Sequence, residues 1–316
     1  MAALVDDSAT TSNENATPES YGPPLKLDAL IVGAGFGGVY QLKKLRDRGY
    51  NVKLVEAGGA RVDSTVPHYE YSDPELWKDW RWSQRFPGSA ELREYFAFVA
   101  KKWDLRKDSI FDTFVNSAVW NNTTKSWTIG TTKGDVFEAQ FFLPNTGFAA
   151  KRHLPNWPGM NTFKGIWIHP SYWPHEDRKI DVNKKRVAVI GTGSTGVQLC
   201  QEISQLASEF VLFQRTPNLA LPMKQKDYKT KQDVLDVPRH MFTEFFAARN
   251  VNFGGFAWDF MSVATFDHTP EQRKATYEKL WNEGDFHFWL ATYHDMLFSV
   301  DANKEAYNFW QVAFPP

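Results

Sequence analysis

One glycine pattern, used twice, constrains this chain more than any other feature. Gly33-Ala34-Gly35-Phe36-Gly37-Gly38 and Gly191-Thr192-Gly193-Ser194-Thr195-Gly196 both read G-x-G-x-x-G. Each follows a short apolar run, Leu27 to Val32 and Arg186 to Ile190, of the kind that forms a buried parallel strand. Each opens a stretch with helical spacing. The first glycine permits the tight turn, the second lets backbone approach a pyrophosphate, and the third lets the helix pack close on the strand. The helix start then offers free amides and partial positive charge to an anion.

The two copies end differently. In the first, Glu56 closes the second strand 23 residues after Gly33. A carboxylate there accepts both hydroxyls of a ribose, which favours an adenosine with a free 2′-OH, as in FAD or NAD. In the second, "VLFQRTPN" puts Arg215 and Thr216 at the corresponding place, 24 residues after Gly191 for the Arg. A guanidinium beside a hydroxyl suits a 2′-phosphate, so NADP(H) is preferred over NAD. An FAD-type site followed by an NADP-type site implies a flavin that NADPH reduces.

Between the copies, "TFVNSAVWNNTTKSWTIGTTKGDVFEAQFFLPNTG" breaks into Phe114–Trp120, Ser126–Thr131 and Asp135–Ala139, an expected antiparallel meander, with Phe141–Leu143 as a further short strand. Asp73-Pro74 looks like a helix start, and Glu91 to Lys102 reads as an amphipathic helix. Thr269-Pro270-Glu271-Gln272 combines an N-cap, a first-turn Pro and a Gln able to close a capping box.

Composition excludes several classes. Lys plus Arg number 36 against 37 Asp plus Glu, so no basic excess supports nucleic-acid binding. The single cysteine, Cys200, allows no intrachain disulfide, which makes the cytoplasm the expected compartment, and it sits in an apolar helical run as an expected small buried side chain. The acidic, Ser/Thr/Asn-rich start lacks a basic region and an apolar core, so residues 1–25 read as a disordered tail rather than a signal peptide. No apolar run is long enough for a membrane span. No metal site is expected, because a pairing of His169 with His175 lacks further ligands.

The linker between the two units carries the most specific signal. Phe163 to Pro174 reads F-x-G-x-x-x-H-x-x-x-W-P. It resembles the fingerprint of the Baeyer–Villiger monooxygenases, the class B flavoprotein monooxygenases. Trp173-Pro174 favours that branch over the N/S-oxygenating flavin monooxygenases, which usually end in Tyr or Phe. "TGFAAKRHLPNWPGM", "VAVIGTGSTGVQ", "FQRTPN" and "YEKLWNEGDFHFWLATYHDML" resemble the same family in the same order.

The resemblance implies an α/β fold of two dinucleotide-binding, Rossmann-like domains. An FAD domain would span 26–175, with the meander and linker. An NADP domain with a helical insertion would span 176–316. It implies tightly bound FAD, reduction by NADPH, and a C4a-peroxyflavin that converts a ketone and O2 to an ester or lactone, in a monomer. Gly33, Gly35, Phe36, Gly38, Glu56, Asp63, Thr146 and Gly147 would hold the flavin dinucleotide. Gly191, Thr192, Gly193, Ser194, Thr195, Gly196, Arg215 and Thr216 would hold the nicotinamide one. His169 would couple domain movement to catalysis, and Asp63 would orient an active-site Arg.

Three departures temper that expectation. Relatives carry a Gly-rich loop between the strand-end Glu and the G-A-R-x-D segment, whereas here Gly58-Gly59-Ala60 joins Glu56 directly to Arg61-x-Asp63. The family's active-site Arg and the last strands of its FAD domain would lie beyond Pro316, so the FAD domain is expected to be incomplete. Asn145 stands before Thr146-Gly147 where Ala is usual. A chain of monooxygenase ancestry with impaired oxygenation is expected. The alternatives are an N/S-oxygenating enzyme, a peroxide-forming NADPH oxidase and a non-catalytic NADP-binding remnant.

Overall fold

The structure, a computed structural model, describes residues 23–58, 68–147, 153–173, 180–228 and 237–313. In chain order its strands are β1 (Leu25–Val32), β2 (Val52–Val55), β3 (Ser109–Ile110), β4 (Val115–Asn121), β5 (Ser126–Thr131), β6 (Val136–Pro144), β7 (Arg186–Ile190) and β8 (Glu209–Phe213). Its helices are α1 (Phe36–Asp47), α2 (Pro74–Trp77), α3 (Ser89–Lys102), α4 (Ser194–Ile203), α5 (Phe242–Arg249), α6 (Pro270–Glu283), α7 (His287–Leu290) and α8 (Val300–Ala313). Among the described residues no helix is long and apolar enough to cross a membrane.

The chain groups into two compact units, Met1–Ala60 with Trp103–Asn218, and Arg61–Lys102 with Leu219–Pro316. The first unit holds both Gly-rich turns. Its main sheet has the order β3-β2-β1-β6-β5-β4. β1 pairs in parallel with β2 on one side and with β6 on the other. The chain leaves β1 towards β2 and later returns to the opposite side, so the carboxyl end of β1 is a topological switch point, where open α/β sheets form a crevice. Leu27, Leu30, Val55, Ile129, Phe137 and Ala139 form the core of this sheet.

The segments 135–139 and 141–143, expected as separate strands, form one strand, β6. Its register with β1 runs unbroken from Leu25 opposite Phe137 to Val32 opposite Pro144, apart from the Asp28 position. Gln140, opposite Asp28, is no breaker, and the pairing on either side of it keeps one register, so the strand runs through. β7 and β8 form a separate two-stranded parallel sheet with Ile190 opposite Phe213.

The second unit is mainly helical. Trp77 of α2 packs with Phe242, Phe245 and Phe246 of α5. Tyr277, Leu280, Phe288, Tyr293, Met296 and Ala306 form a second cluster. α6 begins as its sequence predicts. Gln272 Oε1 accepts from the Thr269 N–H at 2.8 Å and Thr269 Oγ1 accepts from the Gln272 N–H at 3.4 Å, with Pro270 in the first turn. This grouping cuts the chain differently from a linear division at 175. Residues 68–102 belong with the C-terminal helices because their aromatic side chains and backbone carbonyls are engaged there. Arg239 donates to Trp77 O at 2.8 Å and to Trp80 O at 2.9 Å, and Arg85 pairs with the buried Asp285 at 2.8 Å.

Candidate functional site: two glycine-rich turns

The two turns share a backbone geometry. Gly33 has φ +101° and Gly191 has φ +103°, a region that L side chains rarely adopt. A Cβ on Gly38 would stand 1.9 Å from Gly33 O, and one on Gly196 would stand 2.2 Å from Gly191 O. In both cases the helix lies so close to its own turn that only glycine fits. By contrast, a Cβ on Gly35 or Gly193 would meet nothing within 4 Å. Among the described residues nothing covers those two positions, and their backbone is the approachable part of each turn.

Each turn leads straight into a helix. The N-caps of α1 and α4 are Gly35 and Gly193, in extended conformation with no side-chain cap, and neither first turn contains an acidic residue. The first-turn amides of a helix have no carbonyl partner within the helix itself. Together with the helix dipole they make a site for an anion. α1 begins at Phe36, directly after the extended Gly35 that serves as its N-cap.

The side chains after the two strands differ, a carboxylate at Glu56 and a guanidinium at Arg215. Glu56 follows β2, and its carboxylate turns back on the first Gly-rich turn. Oε2 accepts from the Ala34 N–H at 2.5 Å and Oε1 from the Gly58 N–H at 2.8 Å. Each oxygen keeps a further lone pair for a hydroxyl. Sequence spacing pointed to Glu56 but not to this anchoring on Ala34 and Gly58. At the second turn, Thr192 Oγ1 donates to Thr216 O at 3.0 Å, which ties the loop after β8 to the turn and brings Arg215 alongside it. Arg215 and Thr216 are exposed.

The other expected residues are placed less closely. Thr146 and Gly147 follow β6 beside the first turn, both exposed, with Gly147 at φ +68°. His169 is half-buried. Its Nδ1 accepts from the Ser171 N–H at 3.2 Å, a local bond that caps the short turn Pro170–Tyr172 and joins His169 to neither Gly-rich turn. Arg61, Asp63 and Pro174 lie outside the described residues. Cys200 is half-buried rather than buried, and what burial it has raises its thiol pKa.

Comparison with known proteins sets this geometry in a lineage. The chain is 43% identical over 299 residues to cyclopentanone 1,2-monooxygenase of Comamonas sp. (strain NCIMB 9872), a match covering 90% of this chain and 54% of that protein. It is 36% identical over 297 residues to acetone monooxygenase (methyl acetate-forming) of Gordonia sp. (strain TY-5), covering 90% and 55%. Among solved structures it matches OTEMO in complex with FAD and NADP, with a TM-score of 0.85 and 27% identity, covering 92% of this chain and 58% of that one. The chain thus spans about half the length of the curated relatives it matches. Residues 53–246 match the family described as FMO-like, flavin-binding monooxygenase-like, and the chain belongs to that family.

Proposed function

We propose that this chain is the dinucleotide-binding part of a Baeyer–Villiger monooxygenase, taking FAD at the first Gly-rich turn and NADP(H) at the second. The carrying observation is the pair of matched turns with opposite charges after their strands. Both have a positive-φ glycine, an uncapped helix start and an approachable second glycine, yet one ends on Glu56 and the other on Arg215. A carboxylate repels a 2′-phosphate and a guanidinium attracts one, so the two turns would sort the two dinucleotides.

The residues present fit both groups. Gly35 and Phe36 would present amides to the FAD pyrophosphate, Gly33 and Gly38 would hold the turn, Glu56 would accept from the ribose, and Thr146 and Gly147 would border the site. Gly191, Thr192, Gly193, Ser194, Thr195 and Gly196 would do the same for NADP(H), with Arg215 and Thr216 on its 2′-phosphate. A bound flavin supplies hydride acceptance and oxygen activation, the chemistry by which such an enzyme converts a ketone to an ester or lactone. In this assignment residues 26–175 serve FAD and 176–316 serve NADP(H). His169 and Asp63 act in coupling and orientation, and the protein works as a cytoplasmic monomer on a ketone and O2.

The test is to purify the chain and measure bound flavin, then follow NADPH and NADH consumption with a cyclic ketone, a sulfide and an amine. Stoichiometric FAD, preference for NADPH and ester product support the reading. Sulfoxide or N-oxide as sole product places it with the N/S-oxygenating enzymes instead. One observation favours a narrower reading: the Glu56 carboxylate already accepts from the amides of Ala34 in the Gly-rich turn and of Gly58, whereas Arg215 is exposed. A colourless protein that NADP+ protects from unfolding would establish that the chain binds NADP(H) alone.

A further inference from the structure

The first Gly-rich turn has a brace that its twin lacks. Asn145 follows β6 directly, and its N–H donates to Val32 O at 2.7 Å, so it stands beside the turn. Its carbonyl oxygen closes over Gly33, 2.3 Å from where a Cβ would be. Its side-chain Nδ2 donates to Leu143 O at 3.2 Å and to Gln41 Oε1 at 2.9 Å. A backbone carbonyl can only accept, so the bond to Leu143 fixes which amide atom points back to the strand. Oδ1 is left facing α1. It lies 2.9 Å from the place a Cβ on Gly37 would occupy.

Gly37 is a surplus glycine. The G-x-G-x-x-G pattern does not require it, and the backbone there has no positive φ. Thr195, a β-branched residue, fills the corresponding position of the second turn. Among the described residues a Cβ on Gly191, the counterpart of Gly33, would meet nothing within 4 Å, so none of them covers that turn as Asn145 covers this one. Asn145 therefore explains the extra glycine. The side chain rests over the first turn of α1 at Gly37 and is tied to the second turn at Gln41, four residues on.

We propose that Asn145 is a positioning residue for the pyrophosphate of the dinucleotide held at the first turn, and that Gly37 is glycine in order to admit it. This rests on the assignment of FAD to that turn. An anion at a helix start is held by the direction of two or three amides, and that direction depends on how the helix is rotated on its strand. The tight contact of Gly38 with Gly33 O fixes how close α1 lies. The link from β6 through Asn145 to Gln41 fixes its rotation.

The experiment uses the whole chain and the variants Asn145→Ala, Gly37→Ala and the double variant. Three quantities are measured: FAD affinity from flavin fluorescence, NADP+ affinity as an internal control at the second turn, and the ligand-free melting temperature. Asn145→Ala should weaken FAD binding about tenfold, the scale of one lost net hydrogen bond, with NADP+ affinity unchanged. Gly37→Ala should lower the melting temperature and FAD affinity together, since its methyl forces the pinned amide to move. Adding Asn145→Ala to Gly37→Ala should restore the melting temperature, because Ala is favoured over Gly in a helix once the clash is gone. It should leave FAD affinity low. Unchanged FAD affinity in Asn145→Ala overturns the proposal. So does equal loss at both sites, or a recovery of affinity along with stability. A wild-type chain that takes up no FAD overturns the functional reading above and this inference with it.

Discussion

Substituting Glu70 by Gln should change how the stability of the helical unit depends on pH, because Glu70 and its neighbour His68 titrate in opposed senses. Both are buried. His68 has φ +53°, and its ring lies edge-on to Phe242 and Phe245 at 5.3 and 5.1 Å with neither nitrogen hydrogen-bonded. Burial, with Arg239, Arg249 and Arg85 facing it, pushes His68 from 6.5 down to about 3. Burial pushes Glu70 from 4.5 up to about 7, against the pull of Arg239, whose Nη1 stands 3.5 Å from Oε2, and of Trp82 and Arg81. The signs follow. The stability linked to Glu70 is fully present below pH 4.5 and is lost as pH rises through 7. That linked to His68 is fully present above pH 6.5 and is lost as pH falls towards 3. Between pH 4.5 and 6.5 the two slopes oppose each other, each at about 1.4 kcal/mol per pH unit. In Glu70→Gln only the His68 slope remains. The unfolding free energy of the variant relative to wild type should therefore rise by about 3 kcal/mol between pH 4.5 and 7.5. Urea denaturation at pH 4.5, 6 and 7.5, followed by tryptophan fluorescence and checked by circular dichroism, measures that difference. Trp77, Trp80 and Trp82 lie in this unit and report on it. Parallel stability curves for the two proteins over that range would refute the reasoning.

Other substitutions test the turns and caps separately. Gly38→Ala drives a methyl onto Gly33 O and should abolish flavin retention, while Gly196→Ala should abolish NADP+ protection and spare the flavin, read by absorbance and thermal shift. Arg215→Ala should lower the preference for NADP+ over NAD+ by about tenfold or more, on the scale of a charge-assisted hydrogen bond, measured as a ratio of dissociation constants. Thr269→Ala removes the hydroxyl half of the α6 capping box and should cost about 1 kcal/mol in chemical denaturation without changing either affinity.

The features read correctly from sequence are those whose physics is local. A positive-φ glycine, a strand followed at once by an uncapped helix, and a Thr-Pro-Glu-Gln helix start are each fixed within a few residues. Gly33, Gly191, α4 and α6 could therefore be placed without knowing the rest of the molecule. Glu56 and Arg215 were found because a strand–turn–helix–strand unit has a nearly fixed length. The features that escaped are long-range. Nothing local in the segment from His68 to Lys102 says that it packs on helices more than a hundred residues later. Its Trp and Tyr residues would suit any core, and the bonds that decide the matter come from Arg239 and Arg85 across the sequence. His68 and Glu70 look like ordinary surface residues until those helices bury them.

Asn145 falls between these cases, and it shows what an excess residue in a motif can mean. Its identity was visible as a departure from the family pattern, and Gly37 was visible as a glycine the pattern does not need. Neither fact pointed to the other, since 108 residues separate them in the chain. Only the parallel pairing of β1 with β6 makes them neighbours, by setting Val32 opposite Pro144. Once that register is known, the two oddities explain one another. The amide needs room that only a missing Cβ provides, and a glycine in the first turn of a helix, which otherwise weakens it, is retained because a side chain from the next strand rests there.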